Sequence, residues 1–544
     1  MSRLGILSAI LFTSFLASAQ PAISGLQNNY SYLLPGTPNY AIARGSIFVI
    51  YGANMAPAGL LAGGFSPALN KNLGGVSIKV TVAGTTTEAI PYYVSPGQIS
   101  AILPSATPAG TGTITVTYNG ATSAPFSIVV AQSAFGMMTL SGNGLGQAVV
   151  MDAGFNLLTI TNPVKEGQTV IFWGTGLGPD TNDETRIIGT PTSLNSLPFE
   201  FYIGHKLAEV SYHGRSQFPG LDQIVVKIPQ GLTGCYVSAY IKTGNIISNF
   251  TTIPVTSDPV CAEIFATTEQ IQRFSAQETV TAGWLYLAKF ITYIPGFTVG
   301  GISQPASTTV SNAATAQFLR SKPFDYTNYG GLTLPSYGNC VVSVFNFKNP
   351  FTAPIQQTLD AGAINLTLPD GSSRALAKLA NNNYSLNGDG TAARPFFIPD
   401  AGGTFTYNGA GGPDIGPFEA SMTLPPAFSW TNRTSITAVN RTAPLEITWT
   451  GGAADSYVFV QGASSDLVSA VTTFTCSERT SVGRLTIPRD VLASMLASPA
   501  SASPVPPGQI LVFNHTLPKK FTATGVDNPN ILYQFAETSL VTFR

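Results

Sequence analysis

Short runs rich in Val, Ile, Thr, Tyr and Phe recur along the whole chain. Gly, Pro, Asn and Asp bound these runs roughly every 8 to 15 residues. This punctuation, with alternating apolar and polar positions inside the runs, is typical of strands that bury one face. We therefore predict an all-β fold of tandem immunoglobulin-like β-sandwiches followed by a further β-sandwich region. The clearest predicted strands are Ser46–Tyr51, Val76–Val82, Thr113–Tyr118, Gln168–Trp173, Gln223–Ile228 and Glu446–Trp449.

Helical periodicity is sparse. The spacing predicts short helices over Thr267–Ala276 and Asp490–Leu496, with Asp490 as the N-cap of the second. Both segments are too short to form a helical core, so the pattern disfavours an architecture built on helices.

An internal repeat is the most informative feature of the N-terminal half. Gly45–Met55 aligns with Gly167–Leu177 at an offset of 122 residues, and Gln98–Pro104 aligns with Gln223–Pro229 at an offset of 125. The same order of strands in two segments of roughly 110 to 125 residues predicts two immunoglobulin-like sandwiches. Further equivalent positions are Ser123 with Ser248 and Val130 with Val255.

The repeated motif G-x-x-x-V/I-x-Y/W-G-x-x-M/L resembles the opening strand of IPT/TIG immunoglobulin-like domains. Further motifs, taken as a set, resemble those of a family of secreted, acidobacterial-type proteins with a duplicated immunoglobulin-like region. The resemblance covers about residues 24–261 and extends to two later motifs. It implies the fold and export from the cell, and no particular chemistry. The motifs are Tyr93–Ala101, Gly146–Val150, Asn162–Pro163, Thr175–Pro179, Gly412–Phe418 and Trp430–Asn432.

The first residues have the pattern of a secretory signal peptide. Arg3 precedes the apolar run Leu4–Leu16, and Ala17–Ala19 provides a small-x-small cleavage site before Gln20. A membrane anchor is the alternative, but about 13 apolar residues are too few to span a bilayer, which takes roughly 20. Ala282–Ile294 is also too short. We predict a secreted, extracellular or cell-surface protein with no membrane span in the mature chain.

The cysteines Cys235, Cys261, Cys340 and Cys476 fit an oxidising compartment. They allow three disulfide connectivities, and the sequence does not choose between them. Proximity along the chain favours Cys235–Cys261, which leaves Cys340–Cys476 as a long-range bridge. Buried free thiols and a zinc site are the alternatives, and zinc is disfavoured because no Cys or His pair has metal-ligand spacing.

The composition changes after Cys261, where a connector leads into a region rich in Gly, Asn and Thr. A new sandwich-like series of strands begins near residue 426, with Trp449 placed to pack its core. A disulfide between Cys340 and Cys476 would pack the last two segments as one unit. The predicted segments are a signal peptide (1–19), a first module (20–131), a second module (132–261), a β-rich domain (281–425) and a C-terminal β-sandwich (426–544).

Charge excludes two classes of partner. The chain has 26 Lys and Arg against 27 Asp and Glu, a net charge of -1. This balance gives no basic excess to neutralise the phosphates of a nucleic acid or to hold the chain to anionic lipid.

Reactive side chains are scarce. His205, His213 and His515 are the only histidines, and the chain has neither a G-x-S-x-G elbow nor an H-E-x-x-H motif. We interpret the histidines as exposed or edge-strand residues and predict no catalytic residue, no cofactor and no metal site. The acidic strings Asp180–Glu184 and Asn387–Gly390 are interpreted as solvated turns, with calcium-binding loops as the alternative.

Aromatic residues give the only indication of a ligand class, because exposed rings on a β-sandwich can stack on sugar rings. Trp173 and Trp449 lie within apolar runs and are predicted in the core, whereas Trp284 and Trp430 stay open. The candidates for surface aromatics are Tyr92, Tyr93, Tyr326 and Tyr329.

These features favour a non-catalytic extracellular or cell-surface protein for adhesion, matrix building or polysaccharide interaction. The alternative is an extracellular carbohydrate-active enzyme with its active site in residues 281–544 and the modules as accessories. A cleft holding two carboxylates and flanking aromatics would favour the enzyme.

Overall fold

The computed structural model describes residues 20–66, 68–195, 197–262, 264–299, 302–323, 334–346, 356–499 and 506–544. The predicted signal peptide and the candidates Tyr326 and Tyr329 lie outside the described residues. Strands packed as sandwiches make up almost all of the regular structure, which confirms the predicted all-β class. Among the described residues, no helix is long and apolar enough to cross a membrane.

The first module, residues 20–131, is a sandwich. Its strands are β1 (Ala22–Asn28), β2 (Ile42–Ala43), β3 (Ile47–Ala53), β4 (Leu61–Ala62), β5 (Val76–Val82), β6 (Thr85–Val94), β7 (Gln98–Ile102), β8 (Gly110–Tyr118), β9 (Ala121–Thr122) and β10 (Phe126–Ala131). One layer has the order β1-β3-β7-β6 and the other has the order β5-β8-β10. Strand β6 joins the layers because its first half pairs with β5 and its second half with β7. Alternating apolar side chains fill the space between the layers.

The second module, residues 132–261, is also a sandwich. Its strands are β11 (Gly136–Met137), β12 (Val150–Met151), β13 (Thr169–Thr175), β14 (Thr192–Ser193), β15 (Phe199–Ile203), β16 (Lys206–Leu207), β17 (Glu209–Arg215), β18 (Asp222–Lys227), β19 (Gly234–Thr243), β20 (Ile246–Ile247) and β21 (Thr251–Val255). One layer contains the order β13-β18-β17, and the other contains β15, β19 and β21, with β19 in the middle.

The two modules pair their strands in the same order. The layer β3-β7-β6 corresponds to β13-β18-β17, and the layer β5-β8-β10 corresponds to β15-β19-β21. A side-chain detail recurs as well. The Val116 N–H donates to Ser123 Oγ at 3.1 Å, and the Ile241 N–H donates to Ser248 Oγ at 2.9 Å. The repeat read from the sequence therefore has equivalent strands and an equivalent serine bond in both modules.

The connector, residues 262–280, contains one helix, α1 (Thr268–Ser275). Thr267 is its N-cap and forms a reciprocal capping box with Gln270, and the helix buries Ile271 and Phe274. The sequence therefore located this helix correctly.

The C-terminal half, residues 281–544, has long and short strands. They are β22 (Val280–Ile294), β23 (Phe297–Val299), β24 (Ile302–Gln304), β25 (Ser307–Ser321), β26 (Asn339–Asn346), β27 (Gln357–Thr358), β28 (Ile364–Thr367), β29 (Ser373–Ala375), β30 (Ala377–Lys378), β31 (Tyr384–Gly388), β32 (Thr404–Gly409), β33 (Phe418–Thr423), β34 (Phe428–Trp430), β35 (Ala438–Val439), β36 (Leu445–Gly451), β37 (Tyr457–Ser465), β38 (Ala470–Arg479), β39 (Arg484–Ile487), β40 (Gly508–His515) and β41 (Asn528–Phe543). A second short helix is α2 (Arg489–Ala493).

One large sheet runs through this half in the order β26-β38-β37-β40-β41-β22-β25-β31-β30. Three smaller sheets, β23-β24, β29-β28-β32-β33 and β34-β36-β39, accompany it among the described residues. Strand β41 contributes to two hydrophobic cores, with Ile531 and Tyr533 in one and Val541 and Phe543 in the other. Strands from both sides of residue 425 thus share one sheet, and the boundary predicted there remains a prediction.

Asp490 is not the N-cap of α2, so that prediction was wrong. Pro488 occupies the cap position and makes no side-chain cap bond. The Asp490 carboxylate points to the second module instead. It accepts the Tyr240 hydroxyl at 3.3 Å and lies 3.9 Å from Lys242 Nζ. A contact between distant segments has replaced the local capping bond.

The structure contains the disulfides Cys235–Cys261 and Cys340–Cys476, which is the pairing that proximity favoured. The first links Cys261, at the end of the second module, to Cys235 on β19. The second joins directly opposed residues of the neighbouring strands β26 and β38.

Candidate functional site

A cleft of about 740 Å³ lies where the second module, the connector and the large sheet meet. Strands β22, β41, β40, β37 and β38 form its floor, and the start of β19, the connector and residues 334–337 form its walls. Its lining contains eight Phe, Tyr and Trp side chains: Tyr236, Phe265, Trp284, Tyr286, Tyr337, Tyr457, Phe459 and Phe513.

The alternation of each floor strand decides which side chains reach the cleft. On β37, Phe459 lines the cleft whereas Val458 and Val460 enter the core beneath. On β22, Trp284 lines the cleft whereas Leu285 enters the second core. The floor is therefore the outer face of a sheet whose other face is fully packed.

Several rings in the cleft lie nearly parallel. The Trp284 and Tyr286 rings are 6.0 Å apart with 18° between their planes, and Phe265 meets Trp284 edge-on at 5.2 Å. Phe459 and Phe513 stack at 4.2 Å. Trp284, Tyr286 and Phe459 are only half-buried, so part of each ring stays open to a ligand.

The lining is almost uncharged. Arg479 is its single charged residue, and no Asp or Glu among the described residues lines the cleft. Neutral hydrogen-bonding groups complete it, among them Gln461, Thr475, Asn528 and Gln534. Within the described part of the chain, no group of three or more His, Cys, Asp or Glu side chains could hold a metal ion.

None of the histidines is exposed, which corrects the sequence interpretation: His515 is buried, and His205 and His213 are half-buried. His515 is 7% exposed among Tyr457, Phe459 and Phe513, and burial lowers its pKa to about 3. His205 follows Gly204 at a hairpin turn, but its Nε2 accepts the Cys340 N–H at 2.8 Å. Burial lowers the pKa of His205 to about 4, and the bond fixes its proton on Nδ1. His213 lies on β17 and stacks on Phe199.

Acid should destabilise the protein through His205 and His515. Each is neutral when folded but binds a proton near pH 6.5 when unfolded, so the free energy of unfolding falls as the pH drops from 6.5 towards 4 for His205 and 3 for His515. Between pH 7.5 and 4.5 we expect a loss of about 2.5 kcal/mol per histidine.

Urea unfolding of the wild type and of His205→Gln and His515→Gln at both pH values measures this loss. Each variant should show a smaller drop between the two pH values than the wild type, whatever its absolute stability. Equal drops in all three proteins would contradict the assignment. His213→Gln is a further comparison: burial lowers the pKa of His213 as well, so this variant should also show a smaller drop than the wild type.

The acidic string Asp180–Glu184 is a solvated turn only in part: Asp183 is exposed, but the interpretation was wrong for Asp180 and Glu184. Asp180 is 9% exposed, and its carboxylate and that of Asp222 flank the buried Arg215, at 3.8 and 2.7 Å. Glu184 accepts the hydroxyl of Ser105 at 2.6 Å, across to the first module. The string therefore contributes to a polar contact between the two modules. We call this contact, with Asp180, Glu184, Arg215, Asp222 and Ser105, the joint between the modules.

Some of the predictions for aromatic residues are confirmed and others are not. Trp449 and Trp430 are each 3% exposed in the core, whereas Trp173 is only half-buried. Tyr92 is not a free surface residue, because its hydroxyl donates to the Pro219 carbonyl at 3.1 Å across the joint between the modules. Trp284 is the tryptophan that reaches the cleft. The sequence left it open because its strand pattern does not show which face is covered.

Comparison with known proteins identifies part of the chain. Residues 37–130 match the IPT/TIG domain family model, which places an IPT/TIG domain in the first module. No curated protein matches the chain.

Some solved structures resemble the chain weakly. Gamma-CGTase from alkalophilic Bacillus clarkii is 10% identical over 51% of this chain and 34% of its own length, with a TM-score of 0.15. SGBP-B from a xyloglucan utilization locus in Bacteroides uniformis is 12% identical over 68% of this chain and 86% of its own, with a TM-score of 0.15. Sidekick-1 immunoglobulin domains 1–5 are 11% identical over 96% of this chain and 100% of theirs, with a TM-score of 0.12. At scores this low, the similarity supports no inference about what this chain binds.

Proposed function

We propose that this chain is an extracellular or cell-surface, non-catalytic protein that binds polysaccharide in the cleft. The observation that carries the proposal is a lining rich in partly open aromatic rings and devoid of carboxylates among the described residues. The volume of about 740 Å³ falls within the usual range for ligand sites.

Sugar rings match this lining chemically. One face of a pyranose ring carries C–H groups that pack against an aromatic plane, and the ring edge carries hydroxyls that need hydrogen-bond partners. Trp284 and Tyr286 provide two nearly parallel planes on one strand. Gln461, Asn528 and Gln534 provide amide donors and acceptors beside them. The arrangement therefore suits successive units of a chain of sugars.

Hydrolysis is the competing function, and it needs different groups. Glycosidases use two carboxylates held roughly 5 to 10 Å apart across the scissile bond. The described lining offers no such pair, and His515, the histidine in the cleft, has a pKa too low for acid–base work near pH 7. These features favour binding over turnover.

The extracellular setting rests on two features. Two disulfides fit an oxidising compartment, and the sequence predicts a signal peptide over residues 1–19. The duplication of the IPT/TIG-like module remains a prediction, which the equivalent strand order of the second module supports. In this arrangement the second module contributes one wall of the binding cleft.

Trp284→Ala tests the proposal. A screen of the full mature chain against a glycan array identifies the probe, and titration calorimetry then measures its affinity. Loss of a stacking tryptophan should weaken binding about 30-fold, as for an aromatic anchor in an interface. Trp284→Phe should retain most of the affinity because it keeps a flat ring.

Trp173→Ala is the matched control, because Trp173 lies on β13 outside the cleft lining. Unchanged affinity in Trp284→Ala would reject the cleft as the site. Release of reducing sugars from the bound glycan by the wild-type protein would replace binding with the hydrolase alternative.

A further inference from the structure

Arg479 occupies a distinctive position in the cleft. It ends β38 on the same face as Thr475 and Ser477, and its side chain is exposed. Its guanidinium carbon lies 5.1 Å from the centroid of the Tyr337 ring, which also lines the cleft. The neighbouring Glu478 is absent from the lining, and its Oε1 accepts the backbone N–H of Arg479 at 2.8 Å.

A second cation lies behind the connector wall. Lys520 Nζ donates to the Phe265 carbonyl at 2.7 Å and to the side-chain oxygens of Asn528 and Asn530 at 2.6 and 2.8 Å. All three acceptors are neutral, and Phe265 and Asn528 line the cleft. Burial lowers the pKa of Lys520 to about 8, so the ammonium group is still mostly charged at pH 7.

Neither cation has a salt-bridge partner in the part of the chain that the structure describes. Among the described residues, the cleft lining thus has one positive charge, that of Arg479, and no carboxylate, and the Lys520 ammonium group lies behind its wall. A site of this kind attracts an anionic ligand.

Resting on the proposed function, we propose that the ligand is an acidic polysaccharide built from uronic acid units, with a ligand carboxylate paired to Arg479. The guanidinium group presents parallel N–H donors that match the two oxygens of a carboxylate. Its stacking on Tyr337 holds the donors in one orientation before the ligand arrives. The sugar rings then lie on the aromatic floor, so ring stacking provides affinity for any sugar chain and Arg479 selects the charged one.

The test compares two probes with the same sugar backbone, one with free carboxylates and one with neutral methyl esters. Hexagalacturonic acid and its fully methyl-esterified form have the same backbone, and titration calorimetry of the full mature chain measures the affinity for each. We expect the acid to bind about tenfold more tightly than the ester, since hydrogen bonds to charged groups contribute at this level. Arg479→Gln should reduce the affinity for the acid about tenfold and leave that for the ester unchanged.

Arg484→Gln is the matched control, because Arg484 is an exposed arginine of β39 outside the cleft lining. Equal affinities of the wild type for the two probes would overturn the proposal while leaving polysaccharide binding intact. An equal loss in Arg479→Gln and Arg484→Gln would overturn it as well, because general charge attraction would then explain the preference. If neither probe binds, the uronic acid assignment fails, and a neutral glycan bound in a Trp284-dependent way would still support the proposed function.

Discussion

Replacing Arg215 by methionine is expected to lower the free energy of unfolding of the second module by about 4 kcal/mol. The Arg215 side chain is 2% exposed and lies between the buried carboxylates of Asp180 and Asp222. Its Nη2 also donates to the Gly178 carbonyl at 3.0 Å. Methionine fills a similar volume but leaves two carboxylates buried without a cation, which is far more costly than losing an exposed ion pair.

Urea unfolding followed by tryptophan fluorescence measures this loss. Arg186→Met is the matched control, because Arg186 pairs with Asp183 on the same segment with both side chains more than half exposed. The control should change stability by less than about 0.5 kcal/mol. A loss in Arg215→Met no larger than in the control would show that the joint does not depend on this cation.

The deficit of Arg215→Met should also depend on pH. Burial raises the pKa of Asp222 to about 6 in the wild type, and removing Arg215 raises this pKa further. A group whose pKa is raised on folding contributes stability as the pH falls through that pKa, so the deficit should shrink between pH 7.5 and 5. A deficit that grows in acid would contradict this electrostatic account.

Replacing Cys340 and Cys476 together by alanine is expected to lower the free energy of unfolding by about 5 kcal/mol, chiefly through the unfolded chain. The bridge spans 136 residues, so its loss releases a large closed loop. Both cysteines are also at most 1% exposed and belong to the core beneath the large sheet. Strands β26 and β38 would then be held together only by their backbone hydrogen bonds and by side-chain packing.

The double variant Cys235→Ala with Cys261→Ala is the natural comparison. Its bridge spans 26 residues, so chain entropy predicts a smaller loss, about 3.5 kcal/mol. Thermal and urea unfolding of both variants and of the reduced wild type rank the two bridges. A greater loss from the short bridge would mean that native packing, and not the constraint on the unfolded chain, dominates here.

Local sequence patterns were enough to predict those elements whose formation depends on residues close together in the sequence. Val76–Val82 was predicted to the residue, because alternation of apolar and polar positions has the period of a strand. The helix over Thr267–Ala276 was predicted from its spacing, and the structure has it at Thr268–Ser275 with capping residues that are neighbours in sequence. The repeat indicated the equivalent strand order of the two modules for the same reason, since each module folds mainly on its own contacts.

The existence of the cleft was decided by the tertiary structure alone. Its floor exists because β22 pairs in parallel with β41, bringing Trp284 beside residues more than 200 positions away. Contacts between segments that are separate in sequence also bury Asp180 at the joint between the modules and bury His515 in its neutral form. Periodicity tells which side chains share a face of a strand, but which faces are covered depends on pairings between remote segments, and those leave no periodic trace in the sequence.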